Sequence, residues 1–542
     1  MASPPLAAAA PDTAGAEPPR LSRRWPLLGH LLELRRDPVA LLQRVRAECG
    51  PVGEFDLAGH RITLLSGVEA QEAFFRAPDE QLDQAAAYPF MTPIFGQGVV
   101  FDATPEQRKQ AMRNRSLRDQ FMRGHAEKIA AEVERMTGDW GDRGEFDVFD
   151  FFSELTLYTS TTCLIGPEFR DALDPDFVTI FKDLERGTDA LAYVNPHLPI
   201  PALRARDRAR RALVAKLEAI FRERDVRGGE YGDLFEILRR LHDEDGRRRY
   251  DDDQITGMFI SLMFAGHHTT SVVSSWGLLE FLMHPGWLER IVTELDEIYA
   301  DGRDVSYQAL REIPVLECAL KETLRLHPPL VLLMRKVMED FHWNGFTIPA
   351  GRTVATSPSV SNRMPEHFPE PDRFAPERYE AGREEDRQSF AWIPFGAGRH
   401  RCVGAAFAMM QLKAIFSILL RRFEFELAQP AESYGNDVSK MVVAVRQPCR
   451  VRYRRRDAAT PTAGAGATRD ASEAAALPYR VGVDADLCQG HAVCVGEAPE
   501  VFEIDRDENR VTLRTATPDP ALRARVESAV RHCPTRALSI EE

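Results

Sequence analysis

Phe395–Gly404 reads FGAGRHRCVG, and this stretch decides the fold of most of the chain. Glycines at positions 396, 398 and 404 surround a single cysteine, Cys402. The residues after it, AAFAMMQLKAIFSILL, are apolar almost all round, which predicts a buried helix over Gly404–Arg422. A thiolate at a helix N-terminus is stabilised by the helix dipole, and glycines let backbone approach a flat cofactor. The pattern therefore indicates a haem whose iron takes one axial thiolate.

Two other interpretations of this loop remain open on composition alone: a buried structural cysteine and a plain glycine turn. A nucleotide-binding loop is excluded because neither GxGxxG nor GxxxxGK[ST] occurs here. The basic residues Arg399, His400 and Arg401 favour haem, because they can pair with carboxylates.

The loop resembles the haem-binding signature of the cytochrome P450 superfamily. Two companion motifs stand upstream at the expected distances. Glu322 and Arg325 in KETLR resemble the E-x-x-R motif and share a helix face, while Arg378 in FAPER resembles the arginine that joins the pair. His400 departs from the signature, which commonly has arginine there. Over roughly residues 20–455, the resemblance implies haem b and a mainly α-helical fold with small β-sheets.

Two segments resemble one branch of that superfamily, the sterol 14α-demethylases. Ala265–Ser271 reads AGHHTTS within a predicted helix over Gln254–Met283, and Gly266 and the hydroxyl residues can loosen its backbone ladder. Tyr88–Asp102 reads YPFMTPIFGQGVVFD and resembles the branch's loop over the haem. The resemblance implies a reaction in three O₂-dependent rounds, in which the sterol C14 methyl group becomes alcohol, then aldehyde, and leaves as formate.

The resemblance also implies a role for each matching residue. Cys402 would ligate the haem iron, and His268 followed by Thr269 would deliver protons during oxygen activation, with Glu185 pairing with His268. The haem propionates would be bound by Tyr88, Lys109, Arg335 and His400. The sterol pocket would be lined by Phe90, Met91, Phe95, Phe264, Ala265 and Leu330.

The C-terminal segment carries a second chemistry. Cys488 and Cys494 stand in CQGHAVC, and Cys533 precedes a proline, which resembles small bacterial ferredoxins. His491 replaces the middle cysteine, so three thiolates predict a [3Fe–4S] cluster in a small α+β ferredoxin-like domain. Two alternatives remain: a [4Fe–4S] cluster with His491 as fourth ligand, and a Cys3His zinc site.

Composition sets the domain boundaries and the class of partner. We expect a disordered segment over residues 1–20, a haem domain over 21–456, a flexible linker over 457–477 and a ferredoxin domain over 478–542. The linker is rich in Ala, Thr and Gly and has no aromatic residue. A net charge of −14 disfavours nucleic acid as a partner. Neither a transmembrane span nor a secretory signal is evident, so we expect a cytoplasmic bacterial protein.

Three functions are compatible with these motifs. The first is a sterol 14α-demethylase with a built-in electron carrier, which acts on a sterol and O₂. The second is a haem-thiolate hydroxylase of another lipid or terpenoid, and the third is a non-catalytic haem or redox sensor. No flavin or nicotinamide fingerprint occurs, so the first requires a separate NAD(P)H-dependent ferredoxin reductase.

Overall fold

The computed structural model describes residues 15–104, 119–171, 173, 175–188, 190–228, 234–242, 245–438, 442–456, 479–485, 487–488, 490–505, 510–533, 535 and 537–541. Helices dominate up to residue 456, as the apolar periodicity predicts. The α-helices are α1 Leu31–Arg36, α2 Pro38–Cys49, α3 Val68–Arg76, α4 Thr92–Phe95, α5 Asp119–Thr137, α6 Val148–Ser160, α7 Pro167–Asp171, α8 Pro175–Glu185, α9 Ala190–Val194, α10 Pro201–Arg227, α11 Leu234–Arg239, α12 Asp252–Met263, α13 Thr269–Met283, α14 Pro285–Ile298, α15 Tyr307–Arg311, α16 Pro314–Leu326, α17 Pro358–Ser361, α18 Ala405–Arg422, α19 Val493–Glu497 and α20 Arg523–Arg531.

Small sheets flank the helices. The strands are β1 Val52–Leu57, β2 His60–Leu65, β3 Leu82–Asp83, β4 Arg143–Asp147, β5 Leu333–Val337, β6 Phe341–Trp343, β7 Phe346–Ile348, β8 Thr353–Thr356, β9 Phe423–Leu427, β10 Asn436–Asp437, β11 Ala444–Val445, β12 Arg450–Arg455, β13 Arg480–Val483, β14 Phe502–Asp505, β15 Arg510–Leu513 and β16 Leu538–Glu541. The largest sheet has the order β1-β2-β8-β5-β3, with β2 and β8 parallel. The other sheets are β4-β12-β9 and the pairs β6-β7, β10-β11, β13-β16 and β14-β15.

The N-terminal boundary needs a correction. We assigned residues 1–20 to a disordered segment, but the backbone of residues 15–20 is bonded to the sheets. The Ala16 N–H donates to the Gly345 carbonyl at 3.0 Å, and the Glu54 N–H donates to the Pro19 carbonyl at 2.8 Å. Composition does not predict the order of residues 15–20, because it comes from main-chain hydrogen bonds, which form whether or not the side chains are apolar. Residues 1–14 and the linker lie outside the described residues.

The predicted helix over Gln254–Met283 forms with one interruption. Asp251 and Gln254 cap its start reciprocally. Residues Phe264–His268 then adopt a π-helical turn, and α13 continues to Met283. The helical hydrogen-bond ladder is thus interrupted at Gly266 and next to the hydroxyl residues, where the sequence predicts it. Gly257 allows close approach on the same helix, because a Cβ there would lie 2.0 Å from the Phe95 carbonyl oxygen.

Separate apolar cores hold the two parts of the chain. The main core spans α2 to β12, and α18 is buried along most of its length as predicted. The C-terminal segment has its own core, in which Val481, Phe502 and Val526 are at most 1% exposed. No described helix is long and apolar enough to cross a membrane.

Candidate active site and iron–sulfur site

The E-x-x-R pair forms a fully buried ion triad. Arg325 binds both carboxylate oxygens of Glu322 at 2.8 Å, and Arg378 Nε approaches the same carboxylate at 3.3 Å. All three side chains are 0% exposed. Tyr379 donates a further hydrogen bond to Glu322 at 3.0 Å. Burial without these bonds would be costly, so the triad locks α16 to the segment that leads into the thiolate loop.

The thiolate loop packs on the end of α3. Gly398 has φ +62° and its Cβ position lies 2.2 Å from the Phe75 carbonyl oxygen, so only glycine fits there. Cys402 is accessible and forms no disulfide, and α18 begins at Ala405. Desolvation by the surrounding loop raises the pKa of the Cys402 thiol, while the Gly404 N–H and the Arg401 charge oppose that rise.

Three of the predicted propionate-binding residues make protein contacts. Tyr88 accepts the Met334 N–H at 3.0 Å, and burial raises its pKa to about 12 although the nearby Arg335 opposes the rise. Arg335 is 2% exposed and donates to the Phe74 carbonyl at 2.7 Å, next to Phe75 under the loop. His400 Nε2 lies 2.6 Å from Asp79 Oδ1. Lys109, the fourth predicted residue, lies outside the described residues.

This donor set fits a haem. An accessible thiol before a helix N-terminus, with the buried cation of Arg335 close to the same loop, matches a flat cofactor with one axial sulfur ligand and acidic side groups. Cys402 would hold the iron, and Arg335 with Tyr88 would face the carboxylates. When bound, the haem supplies the activation of O₂.

The residues predicted to line the sterol pocket come from three distant segments, two of which meet. Phe95 and Phe264 are in edge-to-face contact at 5.7 Å, and Phe90 contacts Tyr193 at 5.4 Å. Met91 is 2% exposed beside them. Ala265 is exposed although it lies in the middle of a mostly buried helix, so it faces open space.

Leu330 approaches from a third segment. Its backbone pairs with Val442, and its side chain packs against the main core. The structure therefore joins Phe95 to Phe264 through a contact, while it places Leu330 on a separate loop.

A buried polar cluster joins the last two residues of the π-helical turn to Glu185. Glu185 Oε1 lies 3.1 Å from His268 Nδ1 and 3.3 Å from His267 Nε2, and all three residues are buried. Burial alone would raise the pKa of Glu185, but the His268 charge and both imidazole bonds bring it well below its usual value. Burial lowers the pKa of His267, against the opposing effect of Glu185. Glu185 thus contacts His268, as the resemblance implies, and also contacts His267.

His267 and Thr156 complete this cluster and were not among the candidate residues. Thr156 Oγ1 lies 3.1 Å from His267 Nδ1. The doublet of histidines in AGHHTTS was the signal for His267, whereas nothing in the sequence marks Thr156 on α6. On the adjoining turn, the Thr269 hydroxyl donates to the Ala265 carbonyl at 2.7 Å.

The three C-terminal cysteines converge around one small cavity of about 20 Å³, which His491 also lines. Cys488 Sγ accepts the Val511 N–H and Cys533 Sγ accepts the Ala537 N–H, each at 3.3 Å. Burial, and next the neighbouring Cys533 and Cys488, raise the pKa of Cys494 to about 12. N–H···S bonds of this kind accompany iron–sulfur clusters.

Comparison with known proteins decides the family. Residues 19–451 match the family described as "Cytochrome P450". This chain belongs to the cytochrome P450 family. Residues 481–540 match a second family, described as "4Fe-4S single cluster domain", so this P450 carries a C-terminal ferredoxin-type domain. That match supports an iron–sulfur cluster over zinc and does not distinguish three irons from four.

Individual relatives of this P450 are sterol demethylases. It is 56% identical to the sterol 14alpha-demethylase of Mycolicibacterium vanbaalenii over 448 residues, which are 82% of this chain and 99% of that protein. It is 57% identical to the Mycobacterium tuberculosis sterol 14alpha-demethylase, over 81% of this chain and 98% of the relative. The sterol 14-demethylase of Arabidopsis thaliana is 37% identical, over 81% of this chain and 91% of that protein.

A solved structure agrees on the fold. The retinoic acid-bound cyanobacterial CYP120A1 superposes with a TM-score of 0.71 at 23% identity, covering 82% of this chain and 100% of that one. The chain is thus a cytochrome P450 monooxygenase of the sterol 14α-demethylase type with a ferredoxin-type domain.

Proposed function

We propose that this P450 removes the sterol C14 methyl group as formate, and that its ferredoxin-type domain passes electrons to the haem from a separate NAD(P)H-dependent reductase. The observation that carries the proposal is the contact of Phe95 with Phe264. It joins the aromatic loop Tyr88–Asp102 to the π-helical turn Phe264–His268, which we call the oxygen-activating turn. Phe95 packs on Phe264 at the start of that turn, and Glu185 contacts His267 and His268 at its end.

The residues of the chain have distinct tasks in this reaction. Phe90, Met91 and Phe95 exclude water and hold the flat apolar sterol by contact area. Glu185 orients His268 through its carboxylate, and an imidazole can accept and release protons near neutral pH. Thr269 carries a hydroxyl on the next position of the same turn and relays those protons toward the site of oxygen activation.

The cluster domain has the ligands for its own role. Cys488, Cys494 and Cys533 supply three thiolates, and we propose a [3Fe–4S] cluster held by them. A [4Fe–4S] cluster with His491 as fourth ligand is the alternative, and the two differ in their EPR signals. The domain boundaries proposed are 21–456 for the haem domain and 478–542 for the cluster domain.

Turnover by the purified chain tests the function. With a ferredoxin reductase, NADPH and O₂, a C14-methyl sterol should give the 14-demethylated product and formate, identified by mass spectrometry. Cys402→His is the matched control, because it retains a metal ligand but removes the thiolate. Hydroxylation of a terpenoid or fatty acid with no sterol product would instead establish the alternative hydroxylase.

A further inference from the structure

Polar contacts join the cluster domain to the haem domain at three places around the thiolate loop. Arg76, at the end of α3, lies 3.4 Å from Asp484. Arg311, at the end of α15, pairs with Glu497 and lies 2.8 Å from His532 Nδ1. The third contact comes from the loop itself, where the Val403 carbonyl oxygen lies 3.1 Å from His491 Nε2. Three separated contacts fix an orientation, which a single contact cannot.

The His491 contact ends next to the proposed iron ligand. A carbonyl oxygen only accepts, so His491 Nε2 carries the hydrogen and donates it. Val403 follows Cys402 directly in the chain. His491 in turn lines the cavity of the three cysteines. One hydrogen bond therefore links the loop Cys488–Cys494, which we call the cluster loop, to the residue that follows Cys402.

The charges at the interface are complementary and separated by domain. The haem domain contributes Arg76 and Arg311, and the cluster domain contributes Asp484 and Glu497. The side chains of Arg311 and Glu497 are 21% and 16% exposed, against 40% and 35% for Arg76 and Asp484. The Arg311 pair is the better shielded from salt, so we expect it to contribute more to docking.

We propose that His491 is a positioning residue that holds the cluster loop against the thiolate loop, and that the Arg311–Glu497 pair orients this docking for electron transfer within one chain. The inference rests on the proposed role of the domain as an electron carrier and not on the identity of the substrate. Each transfer oxidises the reduced cluster by one electron and reduces the haem iron by one. The NAD(P)H-dependent reductase then restores the cluster, and two transfers serve each round of oxidation.

The imidazole is tested by substitution in the full-length holoprotein. In His491→Ala the cluster EPR signal should stay as in the wild type, while haem reduction, followed by stopped-flow formation of the CO complex, should slow. Loss of one hydrogen bond of about 1 kcal/mol lowers the equilibrium constant for docking about fivefold. His491→Gln should recover part of the rate, since an amide N–H can also reach a carbonyl. An altered cluster signal in His491→Ala would make His491 a ligand and overturn the proposal, as would an unchanged rate.

The ion pair is tested by charge exchange. Arg311→Glu should slow haem reduction and speed hydrogen exchange in residues 398–404, and Arg311→Glu with Glu497→Arg should restore both. Arg222→Glu is the matched control, because Arg222 is 69% exposed and pairs with Glu218 on its own helix. An equal effect of Arg311→Glu and Arg222→Glu would refute the docking. No sterol is present in these measurements, so they remain interpretable if the sterol assignment fails.

Discussion

At the scale of single residues, Glu185 contacts both histidines of the π-helical turn Phe264–His268, for which we propose a role in proton delivery. Burial would raise the pKa of the Glu185 carboxyl, but the two imidazoles lower it well below its usual value. Glu185 Oε1 lies 3.1 Å from His268 Nδ1, and the Thr269 hydroxyl donates to the Ala265 carbonyl of its own helix. A held base beside a hydroxyl that can rotate is a suitable start for proton delivery.

We expect Thr269→Ala to keep haem content and fold while diverting electrons to hydrogen peroxide, because the hydroxyl that relays protons is lost. His268→Ala should lower turnover and introduce a solvent deuterium-sensitive step. The measurements are the ratio of product formed to NADPH oxidised, and the rate in D₂O. Val272→Ala, on the same helix outside the polar cluster, is the control for a simple loss of packing. Equal coupling in the wild type and both variants would exclude the relay.

At the scale of elements, a second buried carboxylate ties α13 to the end of α16. Glu280 lies 2.7 Å from His327 and 3.3 Å from His284, and His327 stacks on Trp276 at 3.8 Å. Burial would raise the pKa of Glu280, but the bonds to His284 and His327 lower it to about 2. This network stabilises the frame that carries the oxygen-activating turn without contacting the turn itself.

Glu280→Gln should therefore destabilise the haem domain in a pH-dependent way. A carboxyl whose pKa falls from 4.5 to about 2 stabilises the fold fully above pH 4.5 and loses this effect as pH falls toward 2. The shift corresponds to about 3 kcal/mol at neutral pH as an upper value. Urea unfolding followed by tryptophan fluorescence should show that the variant has a lower free energy of unfolding than the wild type at pH 7, and that this difference is smaller at pH 3. A difference that is constant with pH would contradict the stabilising role of the ionised Glu280 carboxylate.

At the scale of the whole molecule, two separately cored domains share one chain. The composition of residues 457–477 predicts a flexible linker, and a flexible coil of about 20 residues would keep a tethered donor near the millimolar range in effective concentration. The contacts at Arg76, Arg311 and Val403 would then convert proximity into a defined orientation.

Removal of residues 457–542 should leave haem and sterol binding intact and make turnover depend on added ferredoxin. The full chain should show the EPR signal of an oxidised [3Fe–4S] cluster, which disappears on reduction. Sterol binding is measured by the Soret blue shift, and turnover by product formation with and without ferredoxin. A truncated chain that works equally well with reductase alone would contradict the electron-carrier role. Stoichiometric zinc without iron–sulfur absorption would contradict the cluster.

Local pattern in the sequence determined much of the fold. The buried helix after Cys402 follows from apolar periodicity, and the loosened turn at Phe264–His268 follows from glycine with hydroxyl residues. The haem and cluster cysteines stand in motifs whose spacing is itself the signal. Resemblance, rather than pattern, supplied the sterol branch and the individual site roles.

Only the tertiary structure decided which distant residues meet. The bond of Thr156 to His267, the order of residues 15–20 along the sheet and the contact of His491 with Val403 each join segments that the chain sequence separates. Such contacts depend on how whole elements pack, and packing is set by the sum of many buried surfaces rather than by any local motif. The physical reason is that a motif determines its local backbone conformation and its side-chain chemistry. Which distant side chain it contacts depends on how the helices and strands pack together.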